Sequence, residues 1–246
     1  MKTVSDSKRA FYAAYPRPIN SIYRRVIEEL LVEMHLLSVN ADFKNDPIYY
    51  LGIVTSFERL MQGYDPEADK EKIFNALCSS TDNDPETCKS QAGALLSLAK
   101  DKSASDLIAW LSNPEAGNEA NHIVEPIRAI STNDNFKYSR PFAIGIYTLL
   151  EESDRELVND AEKRDATIDT IVENFSIPGE KMKKDLELYR GNLEKMDQLL
   201  KVIEDVLEAS RKQRAKREQE KQDKQDKQDK PENTTEAQEV EEATAE

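Results

Sequence analysis

The sequence DPIYYLGIVTSFERLMQG, residues 46–63, is apolar on nearly every side when it is drawn as a helix. Asp46 can accept hydrogen bonds from the unpaired N–H groups at a helix start, and Pro47 suits the first helical position. Gly63 offers a left-handed end. The apolar side chains are Ile48, Leu51, Ile53, Val54, Phe57, Leu60 and Met61. Because a helix that is apolar all round must be buried, this stretch predicts the central helix of the fold.

The composition extends this prediction to the whole chain. The 246 residues include 7 glycines, and 33% of them are charged. Sheets need more turn glycine and more β-branched residues, so the balance predicts an all-α protein. The 38% hydrophobic content is adequate for one core, but it implies that part of the chain is not packed.

Other helix starts follow from local signals. Asp65-Pro66 and Asp84-Pro85 repeat the Asp-Pro pattern and predict two further helices. Ser103 and Asp106 resemble a capping pair. The weakly patterned residues 115–135 predict a helix that is interrupted at Pro126 and flanked by loops.

Before the central helix, a run that begins near Pro18 or Asn20 has the spacing of an amphipathic helix. Its predicted core face consists of Ile22, Val26, Leu30, Met34 and Leu37, widened by Ile27 and Leu31.

A heptad pattern occupies the C-terminal third of the chain. The seam consists of Met182, Leu186, Tyr189, Leu193, Met196, Leu200, Ile203 and Leu207. Its irregular methionine and tyrosine positions favour folding back onto the chain's own helices, with pairing between two chains as the alternative. We therefore expect a helical body over residues 1–177, a long helix over 178–228 and a disordered acidic tail over 229–246.

Charge is distributed unevenly along the sequence. Residues 1–25 contain six basic residues against Asp6 alone, so this segment carries +5 while the remainder carries −19. An acidic body with a basic end argues against sequence-independent binding of nucleic acids, which needs a broad basic face. It is compatible with docking onto an acidic protein or an anionic lipid surface.

Patterns typical of catalysis or metal binding are weak. A di-iron site needs two Glu-x-x-His pairs, and the sequence has one, Glu119 with His122, whereas His35 has no such glutamate. Trp110 fits a core position better than a pigment pocket. Cys78 and Cys88 predict reduced thiols, with a disulfide between them as the minority view. No apolar run reaches the length of a membrane span, and no signal peptide is visible.

Five long motifs occur in order along the chain. They are TVSDSKRAFYAA (residues 3–14), RPINSIYRRVIEELLVEMHLLSVN (17–40), DPIYYLGIVTSFERLMQGY (46–64), FKYSRPFAIGIYTLLEE (136–152) and KDLELYRGNLEKM (184–196). Together they resemble the thylakoid formation protein family, also called the photosystem II biogenesis protein family, over about residues 3–215. The resemblance implies an all-helical, non-enzymatic factor without cofactor or catalytic residue. Because the first motif begins almost at Met1, we expect a cyanobacterial member.

The resemblance also implies partners and a location. These are an FtsH-type membrane protease, photosystem II assembly and repair complexes, and the cytoplasmic side of the thylakoid membrane, bound peripherally. We consider two functions: an adaptor for the protease, or a membrane-shaping factor that binds anionic lipid through its N-terminal basic residues and self-associates through the seam. The candidate contact residues are Lys8, Arg9, Arg17, Pro18, Tyr23, Arg24 and Arg25.

Overall fold

The computed structural model describes residues 2–100, 102–112, 121–133, 135–175 and 177–228. All the regular elements in these residues are α-helices, which confirms the predicted fold class. In chain order they are α1 (Val4–Ala14), α2 (Ser21–Ser38), α3 (Pro47–Leu60), α4 (Ala68–Ser80), α5 (Pro85–Ala99), α6 (Ala104–Ser112), α7 (Asn121–Ser131), α8 (Arg140–Ser153), α9 (Arg155–Asn159), α10 (Ala161–Phe175) and α11 (Gly179–Gln228). The expected tail, residues 229–246, lies outside the described residues.

Helix α3 is the central helix that the sequence predicts. Ten of its 14 residues are buried, and it packs against α8 and α5. Asp46 begins the helix by accepting hydrogen bonds from the backbone N–H groups of Ile48 and Tyr49, both at 2.9 Å. Gly63 follows the helix with a φ of 72°, the left-handed conformation that glycine adopts without strain.

Two glycines allow the backbones of α3 and α8 to touch. A Cβ atom on Gly52 would overlap with the carbonyl oxygen of Pro141 in α8, and one on Gly145 would overlap with the carbonyl oxygen of Ile48 in α3. Because both obstacles are backbone atoms, no side-chain movement would relieve the overlap. The α3–α8 contact therefore requires glycine at both positions.

The buried face of α2 differs from the predicted one at its N-terminal end. Ile22 is 36% exposed and Val26 is half-buried, whereas Tyr23 is buried. The Tyr23 ring packs edge-on against Tyr64 with centroids 5.1 Å apart, and it occupies the core position that the spacing assigned to Ile22. From Ile27 onward the predicted face is correct.

Most of the predicted helix starts are confirmed. The Asp84 side chain accepts a hydrogen bond from the Thr87 backbone N–H at 2.8 Å. The Ser103 hydroxyl caps α6 by accepting from the Asp106 backbone N–H at 3.2 Å, and it donates to the Asp106 carboxylate at 2.7 Å. The helix predicted after Asp65-Pro66 is present as α4, but it begins at Ala68 after a turn that follows Pro66, so Asp65 does not cap it as the Asp-Pro pattern suggested.

The prediction of an interruption at Pro126 was wrong, since α7 continues through this proline, which is its middle residue. Because proline has no N–H, the helix continues there without the hydrogen bond that residue 126 would otherwise donate to residue 122. The charged region before residue 175 divides into two helices, because Asp154 caps α9 and the Asp160 carboxylate accepts from two N–H groups at the start of α10.

The chain divides into two compact units. The first comprises Met1–Met196, and the second begins at Asp197. Helix α11 contributes residues to both units.

Candidate functional site

The N-terminal basic residues lie on α1, on α2 and on the link between them. Helix α1 starts with a capping box, in which the Thr3 hydroxyl accepts from the Asp6 N–H and the Asp6 carboxylate accepts from the Thr3 N–H. The Thr-x-x-Asp pattern was visible in the sequence and could have predicted this helix. Hydrogen bonds from the Thr3 hydroxyl and from the Thr3 backbone N–H to the Asp6 carboxylate lower the pKa of Asp6, and Arg9 lies 3.4 Å from the same carboxylate.

Lys8 connects α1 to α2. Its ammonium group donates to the Glu28 carboxylate at 2.9 Å, and the Tyr12 hydroxyl donates to the other Glu28 oxygen at 2.9 Å. These two hydrogen bonds hold the pKa of Glu28 below its usual value. The positive charge of Arg24 also acts on Glu28.

Arg17 anchors the link between α1 and α2 to α4. Its guanidinium donates to the Asp69 carboxylate at 2.8 Å, and that carboxylate also accepts from Lys72 at 2.9 Å and from the Tyr15 hydroxyl at 3.0 Å. Asp69 is 3% exposed, and its hydrogen bonds from Lys72 and Arg17 lower its pKa to about 2. Arg17 thus neutralises a buried carboxylate while 62% of its side chain stays exposed.

The remaining candidates separate into a core residue and surface residues. Tyr23 is buried and donates from its hydroxyl to the carbonyl of Gln62 at 3.0 Å, so its role is structural. Pro18, Arg24 and Arg25 are exposed, and Arg25 pairs with Glu29 one helical turn later at 3.0 Å.

Ion pairing reduces the positive charge that the basic N-terminal segment presents at the surface. Five of the six cations in the segment pair with carboxylates, since Lys2 also lies 2.8 Å from Asp82. Four of those carboxylates belong to residues beyond the segment, so charge counting along the sequence overstated the positive field. We use the name N-terminal edge for the exposed residues Arg9, Tyr12, Arg17, Pro18, Ile22, Arg24 and Arg25.

Comparison with known proteins decides the family. The thylakoid formation protein family matches residues 3–218. The chain belongs to the thylakoid formation protein family. Protein Thf1 of Picosynechococcus sp. is 55% identical over 213 residues, which cover 87% of this chain and 84% of that protein. Protein Thf1 of Gloeothece citriformis is 54% identical over 214 residues, covering 87% and 95% of the two chains.

A solved structure supports the same assignment. The structure of Psb29 superposes with a TM-score of 0.75 at 41% sequence identity, and the match covers 87% of this chain and all of the other. The resemblance seen in the sequence is therefore confirmed, as is the helical fold of this family member.

Two residues from the weak catalytic and metal-binding patterns, His35 and Trp110, are buried in this thylakoid formation protein. His35 is buried with its Nδ1 atom 2.9 Å from the Ser7 hydroxyl, where it joins α2 to α1. Trp110 lies in the hydrophobic core. Glu119 lies outside the described residues, whereas His122 is exposed, and no cluster of potential metal ligands occurs among the residues that were described.

The two cysteines are buried and free. The neighbouring thiol of Cys88 and burial both raise the pKa of the Cys78 thiol. Since thiolates are the reactive form of cysteine, this raised pKa disfavours reaction at Cys78.

The heptad seam changes character along α11. Met182, Leu186, Tyr189 and Met196 are buried, and Leu193 packs against the core, so this half of the seam folds back onto the chain. Ile203 and Leu207 are 38% and 52% exposed, and Leu200 is half-buried. The seam pattern alone gave no signal for this division.

A charged cluster fixes the first turns of α11 to the body. Asp185 accepts a hydrogen bond from the Tyr138 hydroxyl at 2.8 Å and lies 3.8 Å from Arg140. Arg140 also lies 3.7 Å from Glu33 of α2. Burial is the main cause that raises the pKa of Glu33. Three helices therefore meet at one arginine, which fixes the first turns of α11.

Proposed function

We propose that this protein is a non-enzymatic auxiliary factor for thylakoid formation and for photosystem II biogenesis and repair, acting as an adaptor that stabilises or guides an FtsH-type membrane protease. Membership of the thylakoid formation protein family and the similarity to Thf1 and Psb29 support the general role. We place the protein peripherally on the cytoplasmic side of the thylakoid membrane. No helix among the described residues combines the length and apolar character of a membrane span.

The observation that carries the adaptor proposal is the composition of the N-terminal edge. Tyr12 and Ile22 are 37% and 36% exposed, and the guanidinium groups of Arg17 and Arg25 lie beside carboxylates. Exposed tyrosine and arginine side chains are usual anchors of protein–protein contacts, and Ile22 adds apolar area beside them. A nearby carboxylate weakens the long-range positive potential of an arginine, but the guanidinium can still donate directional hydrogen bonds. Binding to anionic lipid depends mainly on that potential, so the pairing favours a protein partner over a lipid surface at this edge.

Complementation of a gene deletion tests the proposal. Loss of the gene is expected to lower the amount of the FtsH-type protease and to slow photosystem II recovery after strong light, and the wild-type gene should restore both. The double variant Ile22→Ser with Arg25→Glu should restore neither, because it removes an apolar contact and reverses a charge at the edge. Its expected protein level and melting temperature are those of the wild type, since both side chains are exposed.

Leu36→Ser is the matched control, because Leu36 is 56% exposed on the same helix but lies outside the N-terminal edge. The control should restore both readouts. Full restoration by the double variant would move the contact away from this edge, and normal protease levels in the deletion strain would refute the adaptor function itself.

A further inference from the structure

The second unit of the chain exposes an apolar helix face that nothing in the described structure covers. Within α11, Val202, Ile203, Val206 and Leu207 are 57%, 38%, 58% and 52% exposed. Large aliphatic side chains are normally scattered singly over a surface, whereas these four lie within two turns of one helix. Such a concentration indicates a contact surface.

The side chains around this segment are segregated by type. At about 100° per residue, the four exposed apolar side chains fall within an arc of about 140° on one side of the helix. On the same projection Asp205 lies on the opposite half of the helix, and Glu204 lies about 60° beyond Leu207. Glu204 and Glu208 line one hollow of the helix surface together with Leu200, Ile203 and Leu207, so these two carboxylates border the apolar face.

A basic cluster follows directly. Residues 209–217 contain Arg211, Lys212, Arg214, Lys216 and Arg217 and no acidic residue. Arg214 and Arg217 lie on the line that Ile203 and Leu207 start, because they continue the same three- and four-residue steps. One face of α11 thus passes from apolar to positively charged along its length. The described side chains in this cluster are exposed.

We propose that residues 199–217 form a membrane-docking segment that lies in the plane of an anionic lipid surface. The apolar face would enter the boundary between headgroups and acyl chains, and Arg214 and Arg217 would contact lipid phosphates. Asp205 on the opposite half of the helix would remain in water, and the ammonium group of Lys212, 2.7 Å from the carboxylate of Glu208, offsets that negative charge at the border of the apolar face. This site goes beyond the adaptor function and does not depend on it, since the adaptor contact lies on α1 and α2.

The same pattern disfavours a second copy of this chain as the occupant. Continuing the heptad from Ile203 and Leu207 places Ser210, Arg214 and Arg217 at the interior positions of a coiled coil. A paired helix would bury these arginines against one another, whereas a lipid surface would pair each with a phosphate. The charge sequence therefore selects an anionic membrane.

Vesicle binding by the full chain tests the proposal. The wild-type protein should float with phosphatidylglycerol vesicles and not with phosphatidylcholine vesicles, and raising the salt concentration should weaken the binding. Each cation near an anionic surface strengthens association about fivefold, so Arg214→Gln with Arg217→Gln should weaken binding about 30-fold. Val206→Ser with Leu207→Ser should reduce binding to phosphatidylglycerol vesicles at low and at high salt concentration alike, because the substitutions remove the apolar side chains that insert into the membrane.

Two charge-matched controls locate the site. Lys201→Gln with Lys212→Gln removes two cations from the opposite side of the helix, and Arg24→Gln with Arg25→Gln removes two from the N-terminal edge. Both should bind phosphatidylglycerol vesicles within about twofold of the wild type if orientation decides the contact. Circular dichroism and thermal unfolding should show that every variant folds, since all these side chains are exposed.

Three outcomes would overturn the proposal. One is the absence of binding to phosphatidylglycerol vesicles. Another is an equal loss of binding in the Arg24 and Arg25 variant, which would place the lipid contact on the N-terminal edge. The third is a concentration-dependent dimer in sedimentation experiments that the Val206 and Leu207 variant dissociates, because a second copy would then cover the face.

Discussion

At the scale of single residues, two aspartates with the same role in helix capping lie in opposite environments. Asp46 is buried, and burial raises its pKa to about 7 despite two hydrogen bonds from backbone N–H groups. Asp84 is more exposed, and its hydrogen bonds from Thr87 lower its pKa. The Asp-Pro pattern in the sequence predicts both caps. It does not predict the direction of the pKa shift at either aspartate, because burial depends on how distant helices pack.

The raised pKa of Asp46 predicts a pH-dependent effect of Asp46→Asn. Because the pKa of Asp46 is higher in the folded state than in the unfolded state, its contribution to the free energy of unfolding is complete below about pH 3.8. This contribution is lost as the pH rises through about 7. Asparagine caps equally well and cannot ionise. The stability of the variant relative to the wild type should therefore rise by about 2 to 3 kcal/mol between pH 5 and pH 8, measured by urea unfolding.

Asp84→Asn is the control for this titration. A lowered pKa means that Asp84 is ionised in both folded and unfolded states between pH 5 and pH 8, so its variant should show a constant difference from the wild type. A constant difference for Asp46→Asn as well would show that Asp46 ionises normally in the folded protein.

Asp69 offers a second prediction at this scale. Lys72 and Arg17 lower its pKa to about 2, so the stability it contributes is present above about pH 4 and is lost as the pH falls through about 2. Arg17→Gln should raise the pKa of Asp69 toward its ordinary value, which a carboxyl NMR titration would measure. Arg25→Gln, which removes an exposed pair with Glu29, should leave that titration unchanged. An unchanged pKa of Asp69 in the Arg17 variant would show that the hydrogen bonds from Lys72 and Tyr15 are sufficient to lower it.

At the scale of the elements, the contact between α3 and α8 determines the core. The sequence identified both helices from their caps and apolar content. It did not identify which helices touch, because Gly52 and Gly145 each look like an ordinary helix-weakening glycine until the facing backbone is known. The same limit applies to α2, where Tyr23 replaced Ile22 in the core through its contact with Tyr64. Periodicity predicts a face to within one residue, and tertiary packing selects the residue.

Gly52→Ala should destabilise the protein strongly. The added methyl group would overlap with the backbone of Pro141, so the helices must separate and lose packing, at a cost of about 3 kcal/mol or more. Gly93→Ala in α5 is the control, because a Cβ there meets nothing within 4 Å and alanine favours helices by about 0.5–1 kcal/mol. Thermal unfolding should therefore show opposite shifts, and a small loss at Gly52 would mean that the two helices are more loosely packed than described.

The heptad seam gives a further prediction within one helix. Leu186 is 2% exposed and Leu207 is 52% exposed. Leu186→Ala should cost about 2–5 kcal/mol of unfolding free energy, whereas Leu207→Ala should change it by less than about 0.5 kcal/mol. Chemical denaturation of the two variants would measure this contrast. Similar losses in both would indicate that the whole seam is buried in solution.

At the scale of the whole molecule, stability and docking are assigned to different units. The buried half of the seam ends at Met196, and the exposed apolar face and basic cluster follow it. Sequence patterns alone treated the seam as one element, because a leucine in a heptad has the same appearance whether it folds back or faces outward. Which half of the seam is buried depends on which other helices lie beside it, and the heptad pattern does not contain that information.

Truncation separates the two roles. A chain that ends at Met196 should keep its cooperative unfolding, with a melting temperature within about 4 °C of the full chain, because it keeps the buried seam positions. It should no longer bind phosphatidylglycerol vesicles. A chain that ends at Glu180 loses Met182, Leu186 and Tyr189 from the core and should melt at least 10 °C lower, or fail to fold, at about 2–4 °C per kcal/mol. If the chain ending at Met196 is destabilised as much as the shorter one, residues beyond 196 support the core. Retained vesicle binding by that chain would place the lipid contact in the first unit instead.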